Sequence, residues 1–289
     1  MNRIYSHIGV IVSRFVGLAS ALAAGVVCAM AGCRAADSDA AASGAAERRE
    51  GEIMLTICYD NTAGRRGLTP AWGFACVIDG LEKTILFDTG GDGPTLLANM
   101  NALGIEPAEI DAVVLSHAHG DHTGGLWAFL RARRGVTVIM PAGFPPWFVE
   151  QVRNLGSTPV AADEATTVCD GAITTGTMGR GRIAEQGLCV QTPDGWVLIT
   201  GCAHPGIGEM VEQATDLVGA PLHVVIGGFH LGGASRSRVQ GIIDRFERLH
   251  VATAAPCHCS GEAARKQFRD HYGDRYVDVV VGRLLRFGP

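Results

Sequence analysis

The sequence has no excess of basic residues. It contains 24 Lys and Arg against 29 Asp and Glu, which gives a formal net charge of −5. Such a chain has no bulk electrostatic attraction to nucleic acid, so we predict no nucleic-acid partner. No linker interrupts the strand-like and helix-like segments after about residue 52, and no internal repeat is evident. This pattern predicts one domain over residues 52–289.

The sequence also lacks the paired Cys-x-x-Cys spacing of a structural zinc cage, although it contains nine cysteines. Two of these, Cys28 and Cys33, lie in the N-terminal extension. The remaining seven are an odd number, so at least one thiol stays free or binds a metal. The cysteines therefore do not by themselves predict a disulfide framework.

The N-terminus has the features of an export signal. Arg3 and Arg14 flank a polar start, and residues 15–32 form an apolar run without charge. This run ends in Met30-Ala31-Gly32-Cys33, which resembles the lipobox of bacterial lipoproteins and implies a signal peptide over 1–32 and an acylated Cys33. Residues 33–51 have no hydrophobic period and predict a flexible tether. Simple secretion to the periplasm and an uncleaved membrane anchor are the alternatives.

Strands and helices alternate along the remaining chain. Residues 112–115, 196–200, 223–226 and 251–255 are apolar strands, and each ends shortly before a histidine or cysteine. Strand–loop–helix units in both halves predict an α/β (α+β) fold, arranged as a four-layer α/β/β/α sandwich. A last strand is predicted over residues 277–281.

One short segment concentrates metal-binding side chains. His117, His119, Asp121 and His122 lie within six residues, directly after the strand at 112–115. Without a metal, this many polar groups at a buried strand end would lack partners. A loop can turn His117 and His119 toward one cation, and Asp121 and His122 toward a second. Imidazole and carboxylate are suitable ligands for zinc, iron or manganese.

The segment His117-Ala118-His119-Gly120-Asp121-His122 resembles the His-x-His-x-Asp-His signature of the metallo-β-lactamase superfamily, and Leu86-Phe87-Asp88-Thr89-Gly90 resembles its first motif. Further segments resemble a subgroup that is commonly described as dihydropterin ribofuranosyl-aminobenzene phosphate synthase-like. They are Asp60-Asn61, Trp72-Gly73-Phe74, residues 200–206, Gly227-Gly228-Phe229-His230 and residues 256–261. The similarity extends over roughly residues 52–285.

The resemblance implies two divalent metal ions, with zinc favoured and iron or manganese as alternatives, that activate a shared water. His117 and His119 would bind the first ion, and Asp121 and His122 the second. His204 and His258 are further candidate ligands, because each follows a strand end. Asp121 is in addition a candidate catalytic residue, and His230 is a candidate catalytic residue, metal ligand or substrate contact. Cys202 stands where many members carry a bridging Asp, and it is either a thiolate ligand or a small buried residue.

These features predict an exported metal-dependent hydrolase that acts on a small phosphorylated or ester-like molecule. Three alternatives remain: a synthase-type condensation of pterin and ribofuranosyl-aminobenzene phosphate, β-lactam hydrolysis, and a non-catalytic binding lipoprotein. The expected partners are a small-molecule substrate and, through a lipid anchor, the membrane. The sequence does not indicate an oligomeric state.

Overall fold

The computed structural model describes residues 48–179 and 183–289. The predicted signal peptide and residues 33–47 of the predicted tether lie outside the described residues. In the described part of the chain, no helix is both long enough and apolar enough to cross a membrane.

The first sheet is built mainly from the N-terminal half of the domain. Its order is β13-β1-β2-β3-β4-β5-β6, in which β3, β4, β5 and β6 are mutually parallel. Its strands are β1 (Ile53–Tyr59), β2 (Ala75–Asp79), β3 (Ile85–Phe87), β4 (Ala112–Val114), β5 (Thr137–Pro141), β6 (Thr158–Ala162) and β13 (Leu284–Phe287).

The second sheet has the order β12-β11-β10-β9-β8-β7, and its strands β10, β11 and β12 are parallel. These strands are β7 (Thr167–Cys169), β8 (Ala172–Thr174), β9 (Leu188–Thr192), β10 (Gly195–Thr200), β11 (Leu222–Gly228) and β12 (Thr253–Cys257).

Helices connect the parallel strands, since strands that run parallel need a crossover connection. The α-helices are α1 (Gly93–Ala102), α2 (Gly120–Thr123), α3 (Leu126–Ala132), α4 (Pro146–Asn154), α5 (Ile207–Val218), α6 (Arg236–Arg248) and α7 (Glu262–Tyr272). Three short 3-10 turns occupy Pro107–Glu109, His258–Ser260 and Gly273–Arg275.

Side chains alternate between the two faces of each strand, and this divides the apolar core into three layers. Cys76 and Ile78 on β2 pack between the two sheets, whereas Val77 faces the helices that cover the first sheet. The outer face of the second sheet packs against α5, α6 and α7 through residues such as Met210 and Phe246. The result is the predicted α/β/β/α sandwich, because each sheet buries one face against its partner and the other against helices.

The predicted strand over residues 277–281 is wrong. This segment is buried at every second residue, at Val277, Val279 and Val281, which imitates a strand in the sequence. It forms no ladder, however, and only Ala254 and Tyr276 form an isolated bridge beside it. The chain instead pairs from Leu284 onward, where β13 lies antiparallel to β1. Burial periodicity reports the environment of side chains and not the hydrogen bonding of the backbone.

Two glycines allow the chain to turn tightly next to the predicted ligand loop. A Cβ on Gly124 would lie 2.0 Å from the carbonyl oxygen of Gly91, and a Cβ on Gly125 would lie 2.1 Å from that of Thr89. Gly120 has open space around its Cα within the described structure, so close backbone packing does not require a glycine there. The close approach holds α2 and α3 against the loop after β3.

Candidate metal centre

The predicted ligand loop follows β4 at the edge where the parallel strands end. His117 and His122 are buried, Asp121 is half-buried and His119 is exposed. Because the loop enters the four-residue helix α2, side chains on both sides of Gly120 converge on one region. The strands β10, β11 and β12 of the second sheet bring their carboxyl ends to the same region.

A first ligand group consists of His117, His119 and His204, whose ligand atoms all lie within 4.8 Å of one another. The Nε2 atom of His117 is 3.1 Å from Nδ1 of His119. His204 comes from the turn between β10 and α5, and its Nε2 is buried without a hydrogen-bond partner. Three imidazoles that converge in this way provide the donor set that zinc prefers.

A second ligand group consists of Asp121, His122, Cys202 and His258, again with ligand atoms within 4.8 Å. Nε2 of His122 is 3.2 Å from the Cys202 sulfur, and Nε2 of His258 is 3.2 Å from Oδ2 of Asp121. The structure therefore brings all six residues predicted as ligands to one place. Cys202, predicted to be either a thiolate ligand or a small buried residue, lies in the second group.

Hydrogen bonds from the opposite side of each ring leave Nε2 available for a cation. His122 Nδ1 lies 2.7 Å from Asp88, and His258 Nδ1 lies 3.1 Å from Oδ1 of Asn61. Ser116 donates its hydroxyl to Asp88, so its oxygen accepts from Nδ1 of His117, 2.9 Å away. Each of the three rings thus carries its proton on Nδ1, and the Nε2 lone pair points into the site. This pattern of partners is the usual one behind metal-bound histidines.

The electrostatics favour unprotonated imidazoles at His117, His204 and His258, whereas at His122 the charge of Asp88 and its hydrogen bond outweigh burial and raise the pKa. Burial and the neighbouring rings, His122 first among them, lower the pKa of His117 well below its usual value. Burial and His230 lower the pKa of His204 to about 4. At Asp121, burial raises the pKa, but the neighbouring side chains of His258 and His122 outweigh it and keep the carboxyl ionised. Neutral imidazoles and an ionised carboxylate are the forms that bind metal, so the donor set fits a pair of divalent cations.

Sequence reasoning missed Glu185, which shapes the turn that carries His204. This buried carboxylate accepts the backbone N–H groups of Cys202, Ala203 and His204 at 2.7–2.8 Å. Burial raises its pKa despite these hydrogen bonds. Glu185 lies in an irregular stretch before β9 without a motif of its own, so no local pattern indicates the role.

Replacing Glu185 should destabilise the protein. In Glu185→Ala, three buried N–H groups would lose their acceptor, and each unsatisfied group costs about 1–3 kcal/mol. We expect the free energy of unfolding to fall by about 3 kcal/mol or more in chemical denaturation. Glu164→Ala removes an exposed carboxylate and is the matched control, with an expected change within about 0.5 kcal/mol. Equal unfolding curves for the two variants would contradict the role assigned to Glu185.

Asp60 and Asn61 hold His258 in place from the other side. Asp60 is buried and accepts the backbone N–H of His258 at 3.1 Å. Asn61 donates its amide to the His258 carbonyl at 2.9 Å, in addition to its contact with the ring. The Asp60-Asn61 motif therefore supports a candidate ligand across 197 residues of sequence.

The two aromatic residues of the Trp72-Gly73-Phe74 segment have different environments. Trp72 is 62% exposed, donates its indole N–H to Oδ2 of Asp121 at 2.9 Å, and lies 4.9 Å from the His258 ring. Phe74 is fully buried between the sheets. Trp72 thus forms part of the rim of the site, whereas Phe74 belongs to the core.

His230 lies at the rim rather than in either ligand group. Its ring is exposed and lies 4.3 Å from the ring of His204. His230 forms a third cluster with Cys202 and Cys259, whose ligand atoms lie within 4.8 Å of one another. All seven cysteines of the described chain are unpaired. A role for His230 as catalytic residue or substrate contact remains a prediction.

The remaining histidines of the described chain lie outside the ligand groups. His271 pairs with Glu247 at 3.1 Å, His250 follows α6, and His223 lies on β11. A cavity of about 380 Å³ beside Met54, Val77 and Leu103 is larger than the one next to the histidines, but no candidate ligand lines it. Among residues 48–179 and 183–289, the candidate ligand groups therefore lie at the shared edge of the two sheets.

Comparison with known proteins agrees with the resemblance of the ligand loop. The sequence model described as the metallo-beta-lactamase superfamily matches residues 73–258, which is more than half of the chain. The chain is 28% identical over 253 residues to the 7,8-dihydropterin-6-methyl-4-(beta-D-ribofuranosyl)-aminobenzene-5'-phosphate synthase of Methanocaldococcus jannaschii, covering 72% of this chain and 86% of the relative.

Solved structures are similar as well. A crystal structure of a metal-dependent hydrolase of the beta-lactamase superfamily has a TM-score of 0.68 and 26% identity, and the match covers 81% of this chain and 98% of that chain. The short form of human tRNase Z has a TM-score of 0.57 and 14% identity, with 82% of this chain and 100% of that chain covered; this second similarity concerns the fold alone. Three observations support one family: the matched region, the two packed sheets and the histidine clusters at their shared edge. The chain belongs to the metallo-beta-lactamase superfamily.

Proposed function

We propose that this protein is a hydrolase that uses two divalent cations, zinc in the first instance, to cleave a small phosphorylated or ester-like substrate. The observation that carries the proposal is the pair of ligand groups at one rim, with His117, His119 and His204 in one and Asp121, His122, Cys202 and His258 in the other. Two adjacent divalent cations polarise a substrate oxygen and lower the pKa of a water molecule when they are bound.

The residues around the ligands supply orientation. Asp88 holds both His122 and Ser116, and through Ser116 it orients His117. The indole N–H of Trp72 donates to Oδ2 of Asp121, the oxygen that also lies 3.2 Å from Nε2 of His258, and thereby orients this carboxylate toward the second ligand group. The exposed faces of Trp72 and His230 are open to a substrate at the rim.

A substrate screen tests this proposal. Purified full-length protein would be assayed with bis(p-nitrophenyl) phosphate, a simple lactone and the β-lactam nitrocefin, with and without a chelator. We expect turnover of the phosphodiester or the lactone that a chelator abolishes and zinc restores, and no comparable turnover of the lactam. Lactam as the preferred substrate would support β-lactam hydrolysis, and binding without turnover of any substrate would support a non-catalytic lipoprotein.

A synthase-type reaction is the second candidate, because the relative from Methanocaldococcus jannaschii carries that name. In this alternative the same site would promote the condensation of a pterin with a ribofuranosyl-aminobenzene phosphate. Incubation of the protein with both compounds, followed by mass spectrometry of the product, distinguishes this reaction from hydrolysis.

We also propose that the protein is exported and anchored through Cys33. Cleavage before this residue and its acylation would give stable anchoring, since the several chains of a bacterial lipoprotein hold better than a single chain. In cell fractionation, Cys33→Ser should move the protein out of the membrane fraction and leave the specific activity within about two-fold, because residues 33–51 supply no candidate ligand. Retention of the variant in the membrane would indicate an uncleaved anchor. Soluble periplasmic wild-type protein would indicate ordinary secretion.

A further inference from the structure

A cavity of about 300 Å³ opens between α5 and α6, directly beside the first ligand group. His204 and His230 both line it, so the cavity is continuous with the candidate metal centre. Phe229, Leu231 and Ile242 provide apolar walls. A cavity with apolar walls and a few convergent polar groups is the usual form of a small-molecule site.

The two arginines that line this cavity differ in their partners. Arg245 bonds to the carboxylates of Glu209 and Glu212, so its charge is already compensated. Arg238 is exposed, and among the described residues no carboxylate pairs with it. Burial lowers the pKa of His230 most, and the charge of Arg238 lowers it further. The two groups therefore share one electrostatic environment.

The start of α5 does not supply a competing anion site. A Cβ on Gly206 would lie 2.1 Å from Oε2 of Glu209, so the helix start already faces a carboxylate of its own chain. A carboxylate at a helix N-terminus satisfies the helix dipole there. An anionic ligand in this cavity would therefore be attracted to Arg238 rather than to the helix start.

The backbone at His230 is held in an uncommon conformation. Its φ is 51°, in the left-handed region that residues with a Cβ rarely adopt. Ala203 and His258, at the ends of the neighbouring parallel strands, share this feature with φ of 59° and 48°. Such strain persists where the surrounding structure enforces it, and it is concentrated at functional sites. At His230, it accompanies an imidazole that belongs to neither ligand group and lines the cavity.

We propose that Arg238 and His230 form a recognition site for a phosphate group of the substrate, separate from the bond that is cleaved. The guanidinium and the imidazole donate hydrogen bonds to phosphate oxygens, and the apolar walls contact the carbon atoms next to them. The scissile ester or phosphodiester lies at the two ligand groups beyond His204. This inference rests on the proposed function and makes it more specific, since it selects substrates with a second, anionic group.

Inorganic phosphate is the probe for this site. Its affinity would be measured by calorimetry with the full-length protein as purified, and metal content would be measured on the same samples. We expect Arg238→Gln to weaken phosphate binding about 10-fold or more, the usual size of a lost hydrogen bond to a charged group. Arg238→Lys should recover part of the affinity because it retains the charge. Arg236→Gln, an exposed position on the same helix outside the cavity, should bind phosphate like the native protein.

Two results would overturn the inference. One is native phosphate affinity in Arg238→Gln at unchanged metal content, because phosphate would then bind at the ligand groups alone. The other is acetate binding as tightly as phosphate with the same dependence on Arg238, which would make the site one for carboxylates. Neither result depends on turnover, so failure of the hydrolase proposal in the substrate screen is a separate outcome.

Discussion

The double substitution His119→Ala and Asp121→Ala is expected to remove the bound metal and all turnover. His119 belongs to the first ligand group and Asp121 to the second, so each group loses one ligand in the same protein. The three-histidine group would keep two imidazoles, and the other group would lose its only carboxylate. We expect the metal content measured by mass spectrometry to fall from about two ions per chain to near zero.

A matched double variant separates this effect from general damage. Asp270→Ala with His271→Ala removes the same two residue types from the exposed surface of α7, where they pair with Lys266 and Glu247. Its metal content and turnover should equal those of the native protein. Full activity in the His119→Ala and Asp121→Ala protein would refute the proposed role of the metals.

Single substitution of His204 or His258 is expected to weaken metal binding selectively. Each residue belongs to a different ligand group, and each reaches the ligand loop from the second sheet. We expect either alanine variant to lower metal affinity about 10-fold or more, since loss of a ligand should cost at least as much as loss of a supporting hydrogen bond. Competition with a chromogenic chelator measures the affinity, and the number of ions retained reports whether one group or both have been emptied.

His250 offers the control for these variants. It is an exposed residue after α6, and its φ of 57° favours asparagine over alanine as the replacement. His250→Asn should therefore retain native metal affinity. If His204→Ala and His258→Ala also bound metal like the native protein, the assignment of the far ligands would be wrong.

The local ligand loop was the most predictable part of the site. His117, His119, Asp121 and His122 are so close in sequence that almost any sharp turn after a buried strand brings them together. The sandwich was predictable for a similar reason, because alternating strand and helix patterns have few ways to bury their apolar faces. The error at residues 277–281 shows the limit of that reasoning, because an extended segment can alternate in burial without pairing with a neighbour.

His204 and His258 were indicated by the resemblance and by their places after strand ends, and not by spacing within one loop. Nothing between residues 122 and 204 indicates that the second sheet will turn its strand ends toward the loop. The structure places them there because β10, β11 and β12 run parallel and end at the edge that faces β4. Cys202 is brought beside His122 by the same arrangement, at 3.2 Å.

The sequence by itself determined the fold class and the ligand loop, since these follow from periodicity and spacing. Only the tertiary structure decided which groups support the loop and which surround the rim. Glu185 and Arg238 have no recognisable motif. Glu185 acts by accepting hydrogen bonds from three backbone N–H groups. Arg238 is distinguished because no carboxylate of the described chain pairs with it. Such partnerships arise where distant segments meet, and a hydrogen bond acts only between groups that the fold has already brought within about 3 Å.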